Sequence, residues 1–213
     1  MGPEFYLHRR VITGDLVESF NSVLGEPTSL VSAGKVENLA LLVIRFHNMY
    51  ETFSNPESEA RFINRYADMA FPIIHKYEGI IDNTVSHDGT LAYFGTHQQQ
   101  EHELRALQTA LELREALVKL EEIDLYQVGM GMGINSGEVY SGDLGNYERA
   151  DATVFGNPLR LCHMMADASD INGIVIGENT YQALKDKITT SSLVEIKPPY
   201  GKPTLAYRVG NLK

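Results

Sequence analysis

Leu39-Ala40-Leu41-Leu42-Val43-Ile44 is a continuous apolar run, the pattern of a central strand buried on both faces. A helix follows, with Asn55 placed to cap it, Pro56 at its first position, and Glu57 and Glu59 beside its positive end. Phe62, Tyr66, Met69/Ala70, Ile73 and Tyr77 recur at helical intervals and form its expected inward face, with a kink expected at Pro72. Gly79 opens a hairpin: a strand to about Val85, a turn at His87-Asp88-Gly89, and a return strand Leu91–Gly95. A second helix is expected from about Glu101 to Glu122, its core face made of Leu104, Leu107, Leu111, Leu117 and Leu120. From Gly131 the pattern predicts a strand ending in Gly133-Ile134-Asn135-Ser136-Gly137, a second short strand through Val139, and a Gly-rich hairpin. A third strand through Thr153-Val154-Phe155 then leads by Gly156-Asn157-Pro158 into a helix from Leu159. Gly137, Gly142 and Gly145 are expected where the backbone needs positive φ or close approach. Gly173–Ile176 reads as a strand, Glu178–Lys185 as a helix, and Leu193–Ile196 and Thr204–Val209 as terminal strands. The order βαββαβ plus C-terminal additions predicts an α+β domain, a mostly antiparallel sheet with helices on one face.

Residues 1–38 read as an N-terminal arm and 39–213 as the domain. Met1–Phe5 resembles a cloning remnant. Leu16, Phe20 and Leu24 give residues 15–24 a short amphipathic helix, and Gly25-Glu26-Pro27 breaks into a linker. Composition narrows the partners. The 18 basic and 28 acidic residues leave a formal charge of −10, which disfavours nucleic acid and anionic membranes, both of which need a cationic footprint. One cysteine excludes an internal disulfide and suits a reducing compartment. No apolar run approaches the roughly 18 residues of a membrane span. The expectation is a cytoplasmic domain without direct membrane contact, or the soluble part of a larger protein.

Three segments carry a resemblance: Gly133-Ile134-Asn135-Ser136-Gly137, Gly142-Asp143-Leu144-Gly145 and Asp151-Ala152-Thr153-Val154-Phe155-Gly156-Asn157. They resemble, in order and spacing, the Gly-Ile-His-Thr-Gly strand end, Gly-Asn-Ile-Gly hairpin and Asp-Tyr-Thr-Val-Ile-Gly-Asp turn of class III nucleotidyl cyclases. Phe62-Ile63-Asn64-Arg65-Tyr66 is similar to the Leu-Leu-Asn-Arg-Tyr of that family's first long helix. The resemblance covers roughly 39–210 and implies the class III cyclase fold with a ferredoxin-like core. It also implies a head-to-tail homodimer with sites between subunits, and an upstream sensor module acting through the arm.

The family's reaction, attack of a ribose 3′ oxygen on an α-phosphate, uses two divalent ions about 4 Å apart. Two aspartates hold them. A Lys paired with Asp or Thr selects the base, an Asn and an Arg four residues later serve ribose and transition state, and a further Lys contacts the triphosphate. Carried over residue by residue, the first metal aspartate is Arg45 and the second is Asp88. The base-selecting Lys falls on Thr84, or on Asn83 if the insertion between Asp82 and Asp88 lies later; its partner falls on Thr153. The family's Asn becomes Arg160 and its Arg becomes Met164. The triphosphate Lys falls near Tyr200, flanked by Lys197 and Lys202. The phosphate loop reads Phe46-His47-Asn48-Met49-Tyr50 and lacks the family's glycine.

A guanidinium where a metal carboxylate belongs repels a dication; unit charges 4 Å apart interact by roughly 4 kcal/mol at an effective dielectric near 20. We expect Arg45 and Asp88 to form an ion pair, the plainer alternative having Arg45 in solvent and Asp88 capping its turn. His47, His87 and Asp88 offer a transition-metal set as another alternative. Asp88 is then the one surviving metal ligand, and Thr84, Thr153, Asn157, Arg160 and Lys202 line what remains of the substrate wall. The chain reads as a pseudocyclase: a dimeric regulatory or ligand-binding domain in cyclic-nucleotide-type signalling, with no cofactor and with room for a nucleotide or anion. The alternatives are a partner-dependent or active cyclase making cAMP or cGMP from ATP or GTP with Mg or Mn, and a ligand-free dimerisation module.

Overall fold

A computed structural model describes residues 34–86, 88–96, 99–119, 128–145, 150–199 and 201–213. The proposed helix at 15–24, His87, Leu120 and Tyr200 lie outside them. The chain runs β1 (Lys35–His47), α1 (Met49–Thr52), α2 (Pro56–Lys76), β2 (Ile80–Ser86), β3 (Gly89–Phe94), α3 (His102–Val118) and β4 (Gly129–Gly145). It continues through β5 (Ala150–Phe155), α4 (Asn157–Asp167), β6 (Ile174–Gly177), α5 (Glu178–Leu184), β7 (Ile188–Ile196) and β8 (Thr204–Leu212).

The strands form an eight-stranded sheet in the order β2-β3-β1-β4-β6-β8-β7, with β5 paired to β4 off this path. β4 and β6 run parallel, and the other described pairs are antiparallel. β2-β3-β1-β4 is the βαββαβ core that the element order predicts, and β6 to β8 extend it on one side.

The run Leu39–Ile44 is fully buried because both its faces are covered. Ala40, Leu42 and Ile44 point into the larger core with Phe62, Tyr66 and Ile74 of α2 and Leu107, Leu113 and Leu117 of α3. Leu39, Leu41 and Val43 point the other way, against Val139, Val154, and Cys162 and Ala166 of α4. This corrects the expectation of helices on one face: α4 lies on the opposite side from α2 and α3. The alternation inside an all-apolar strand already required two covers. Gly133 lets α4 approach, because a side chain there would strike the helix backbone at Cys162 and Ala166.

Other boundaries differ for readable reasons. The two strands expected on either side of Gly137 are one continuous β4, since pairing with β1 from Lys35 to His47 carries the backbone straight through. β1 begins before its apolar run, at residues such as Val36 that pair with β4 yet stay 68% exposed. On α2 the fully buried series is Phe62, Tyr66, Ala70 and Ile74, and Ile73 and Tyr77 are only partly covered. Asn55 caps the helix by accepting from the Glu57 N–H at 2.9 Å, and α2 continues through Pro72. α4 starts at Asn157, with Pro158 in its first turn.

Candidate functional site

The C-terminal end of β1, the β2–β3 turn and the last turn of α4 meet at one corner. Arg45 pairs in register with Gly89 on one side and Gly131 on the other. Gly89 has φ 136°, and any side chain on it would collide with the Ile44 carbonyl. That glycine lets the turn close onto β1, where the Phe46 N–H donates to the Asp88 carbonyl at 3.1 Å.

The Arg45 side chain, 28% exposed, lies between two carboxylates: Nη1 is 3.4 Å from Asp88 Oδ2 and Nε is 3.1 Å from Asp167 Oδ1. The Asp167 contact is charge to charge and is not aligned as a hydrogen bond. His163, one turn before Asp167, completes the corner with a buried Nδ1 that has no hydrogen-bond partner. Burial first, then the Arg45 charge, pushes the His163 imidazole below its ordinary value, opposed by Asp167 and Asp88.

Two metal ions do not fit these residues. The guanidinium stands between the carboxylates that would converge on a cation, and no group of three His, Cys, Asp or Glu side chains among the described residues could hold one. His47 Nε2 is buried against Gly131 without a hydrogen-bond partner, and His87, the third member of the alternative metal set, lies outside the described residues. Asn48, where the family has glycine, takes the left-handed conformation at φ 62°, which asparagine tolerates.

Across the same edge, Asp82 is only 8% exposed, and its Oδ2 accepts from the Thr153 hydroxyl at 2.8 Å. Its Oδ1 is buried without a partner. Burial raises the carboxyl to about 6; the Thr153 hydrogen bond opposes the shift and the Asp151 charge adds to it. Thr84 and Asn83 fall where the β2–β3 register shifts, between Asp82 and Ser86, and their side chains lie outside the described residues. Arg160, on the exposed face of α4, stacks 5.4 Å from the Phe155 ring centre and donates to Asn157 Oδ1 at 3.3 Å. Met164 is partly buried, packed against the cluster of Met165, Val175, Ile196 and Ala206. Lys202 is exposed in the β7–β8 connection, and Lys197 pairs with Glu195 at 2.9 Å.

The sequence therefore names Arg45, Asp88 and Thr153 but not Asp82, Asp167 or His163. Asp82 carries a faint signal, a carboxylate directly after Gly79-Ile80-Ile81 in a half-buried strand. Asp167 and His163 carry none, because only the docking of α4 brings them to Arg45.

Comparison with known proteins places these features. The family described as the adenylate and guanylate cyclase catalytic domain matches residues 43–207. Among solved structures, the guanylyl cyclase Cya2 superimposes with TM-score 0.79 at 25% identity, over 85% of this chain and 96% of that one. The adenylyl cyclase CyaB from P. aeruginosa gives 0.75 at 23%, over 84% and 97%. The guanylate cyclase domain of RhGC from Catenaria anguillulae, in complex with GTP, gives 0.76 at 22%, over 84% and 100%. Among curated sequences, the uncharacterized protein Rv1320c of Mycobacterium tuberculosis is 29% identical over 117 residues, 52% of this chain and only 20% of that protein's length.

Proposed function

The chain belongs to the adenylate and guanylate cyclase catalytic domain family, and from that premise we propose that it is a catalytically inactive member. In this reading it works as a dimeric regulatory or ligand-binding domain in cytoplasmic signalling of the cyclic-nucleotide type. The observation that carries the proposal is Arg45 clasped by Asp88 and Asp167. A dication about 4 Å from that guanidinium meets repulsion of roughly 8 kcal/mol at an effective dielectric near 20, two charges against one. The clasp also uses the carboxylate that would bind the metal.

The helix supports the same reading. The family's transition-state arginine is Met164, an uncharged side chain partly buried against the α4 cluster. Removing such an arginine costs on the order of 10³-fold or more in phosphoryl transfer. Arg160, in the place of the family's asparagine, leans onto Phe155 instead of projecting an amide.

Head-to-tail pairing follows from the family, in which the site is shared between subunits. A nucleotide or anion in the remnant cleft is its expected ligand. The test is an assay for cAMP and cGMP from ATP and GTP with Mn²⁺, with and without a competent cyclase partner. The expected result is background turnover in every arm; product that scales with added Mn²⁺ overturns the proposal.

A further inference from the structure

We propose that His102 is a proton-operated fastener for the turn that carries the chain from β3 into α3. It is closed when the imidazole holds a proton on both nitrogens and loosens when one is lost. The proposal stands whether or not the domain turns over a nucleotide.

The geometry sets the requirement. His102 is the first residue of α3, and its ring lies over Gly95, where a Cβ would come within 3.1 Å of its Cγ. Nδ1 faces the Gln99 carbonyl at 3.4 Å, and Nε2 lies 3.1 Å from Glu103 Oε1. Nε2 is buried, and its contact with Glu103 is charge to charge, not aligned as a hydrogen bond. Both ring nitrogens therefore meet an oxygen that can only accept. A neutral imidazole has one N–H and one bare lone pair, whereas the imidazolium has two N–H groups. The imidazolium suits both oxygens; either neutral tautomer sets a lone pair against one of them.

The surroundings decide which contact gives way. Glu103 is held from its other side by a hydrogen bond from Ser136 of β4, whose Oγ lies 3.1 Å from Thr180 Oγ1 of α5. A carboxylate is also the stronger acceptor. Neutral His102 thus keeps its proton on Nε2 and turns a lone pair toward Gln99. That residue ties the turn: its Oε1 accepts from the Gly95 N–H, and its Nε2 donates to Glu78 Oε2, both at 2.8 Å. Repulsion at its carbonyl reaches the end of β3 and the α2–β2 turn together.

The neighbouring charges leave Glu103 to the imidazole. Glu101 pairs with Lys187 from the α5–β7 connection, and Arg105 pairs with Glu78 from the α2–β2 turn. Glu178 of α5 is turned to Gln182 and Tyr207, and β1 brings the Asn38 carbonyl near Gly95. The Glu103 contact raises the His102 imidazole above its ordinary 6.5, with burial opposing it. Burial raises the Glu103 carboxyl, but His102 and Ser136 overcome that and hold it below its ordinary value. The fastening is therefore complete below about pH 6.5 and is lost as pH rises through the raised value.

The experiment follows the His102 Cε1–H by NMR in the full chain from about pH 5 to pH 9, the peak being assigned by its loss in His102→Gln. Amide exchange at Gly95 and Gln99 is measured over the same range. His102 should titrate above 6.5, and protection at both amides, corrected for intrinsic exchange, should fall at least about threefold as it deprotonates. Glu103→Gln, which keeps the shape and an acceptor, should bring the titration to 6.5 or below and flatten the pH dependence of protection. The wild-type measurements decide alone if that variant does not fold. A His102 that titrates at or below 6.5, protection that stays level through its titration, or an unchanged titration in a folded Glu103→Gln would each overturn the proposal.

Discussion

At the scale of single residues, Asp82 links the site to stability. Its carboxyl titrates near 3.8 when free and at about 6 in the fold. Below about pH 4 both states are protonated and the residue costs nothing. Between about pH 4 and 6 the folded state holds a proton that the unfolded state has released, so stability falls as pH rises. Above 6 the full penalty remains, about two pKa steps or roughly 3 kcal/mol at most. Asp82→Asn should therefore leave stability nearly unchanged at pH 4 and raise it by about 1–3 kcal/mol at pH 8, read from urea midpoints. A gap independent of pH would show that the carboxyl is not so perturbed. The sequence points to Arg45 and Asp88 because they stand at a strand end and a turn, where spacing alone fixes position. It is silent on Asp167, whose contact with Arg45 exists only through helix packing, and nearly so on Asp82, whose neighbour is set by a register shift.

At the scale of elements, the β2–β3 turn depends on Gly89. Its φ of 136° disfavours any L side chain, and a Cβ would press on the backbone of β1 at Ile44. Gly89→Ala should cost about 2 kcal/mol or more, combining backbone strain with the clash, and should lower the melting temperature accordingly. If the variant melts with the wild type, the turn is not held against β1 as described. The order of helices and strands was legible from periodicity, and the start of α2 from Asn55, Pro56 and the two glutamates. Two features were not. Gly137 reads as a break in isolation, yet pairing with β1 keeps β4 straight through it. The first residues of β1 are held by strand pairing while Val36 stays exposed, so hydrophobicity does not announce them.

At the scale of the whole molecule, the sheet separates the large core under α2 and α3 from the cluster under α4, and Cys162 sits in the latter. It is fully buried, and its thiol donates to the Leu41 carbonyl at 3.3 Å and the Gly133 carbonyl at 3.1 Å. Burial pushes the thiol up to about 12, so it is unreactive while the fold is closed. Labelling of Cys162 by a thiol reagent should then proceed only through global opening, at a rate that tracks unfolding free energy as urea is added. Fast labelling in native buffer would mean that α4 lifts off the sheet by itself. The two-sided burial of Leu39–Ile44 was present in the sequence as an unbroken apolar run; which helix covers which side was not, because several helical segments carry apolar faces that suit either.

β4 is the longest strand among the described residues. Its 17 residues run unbroken from the Arg45 corner to the tip shared with β5, a distance of about 55 Å at strand rise. Such a beam has no joint along its length. A pull applied at the far tip arrives at the other end as tilt, and the half of the sheet bonded to the beam must travel with it.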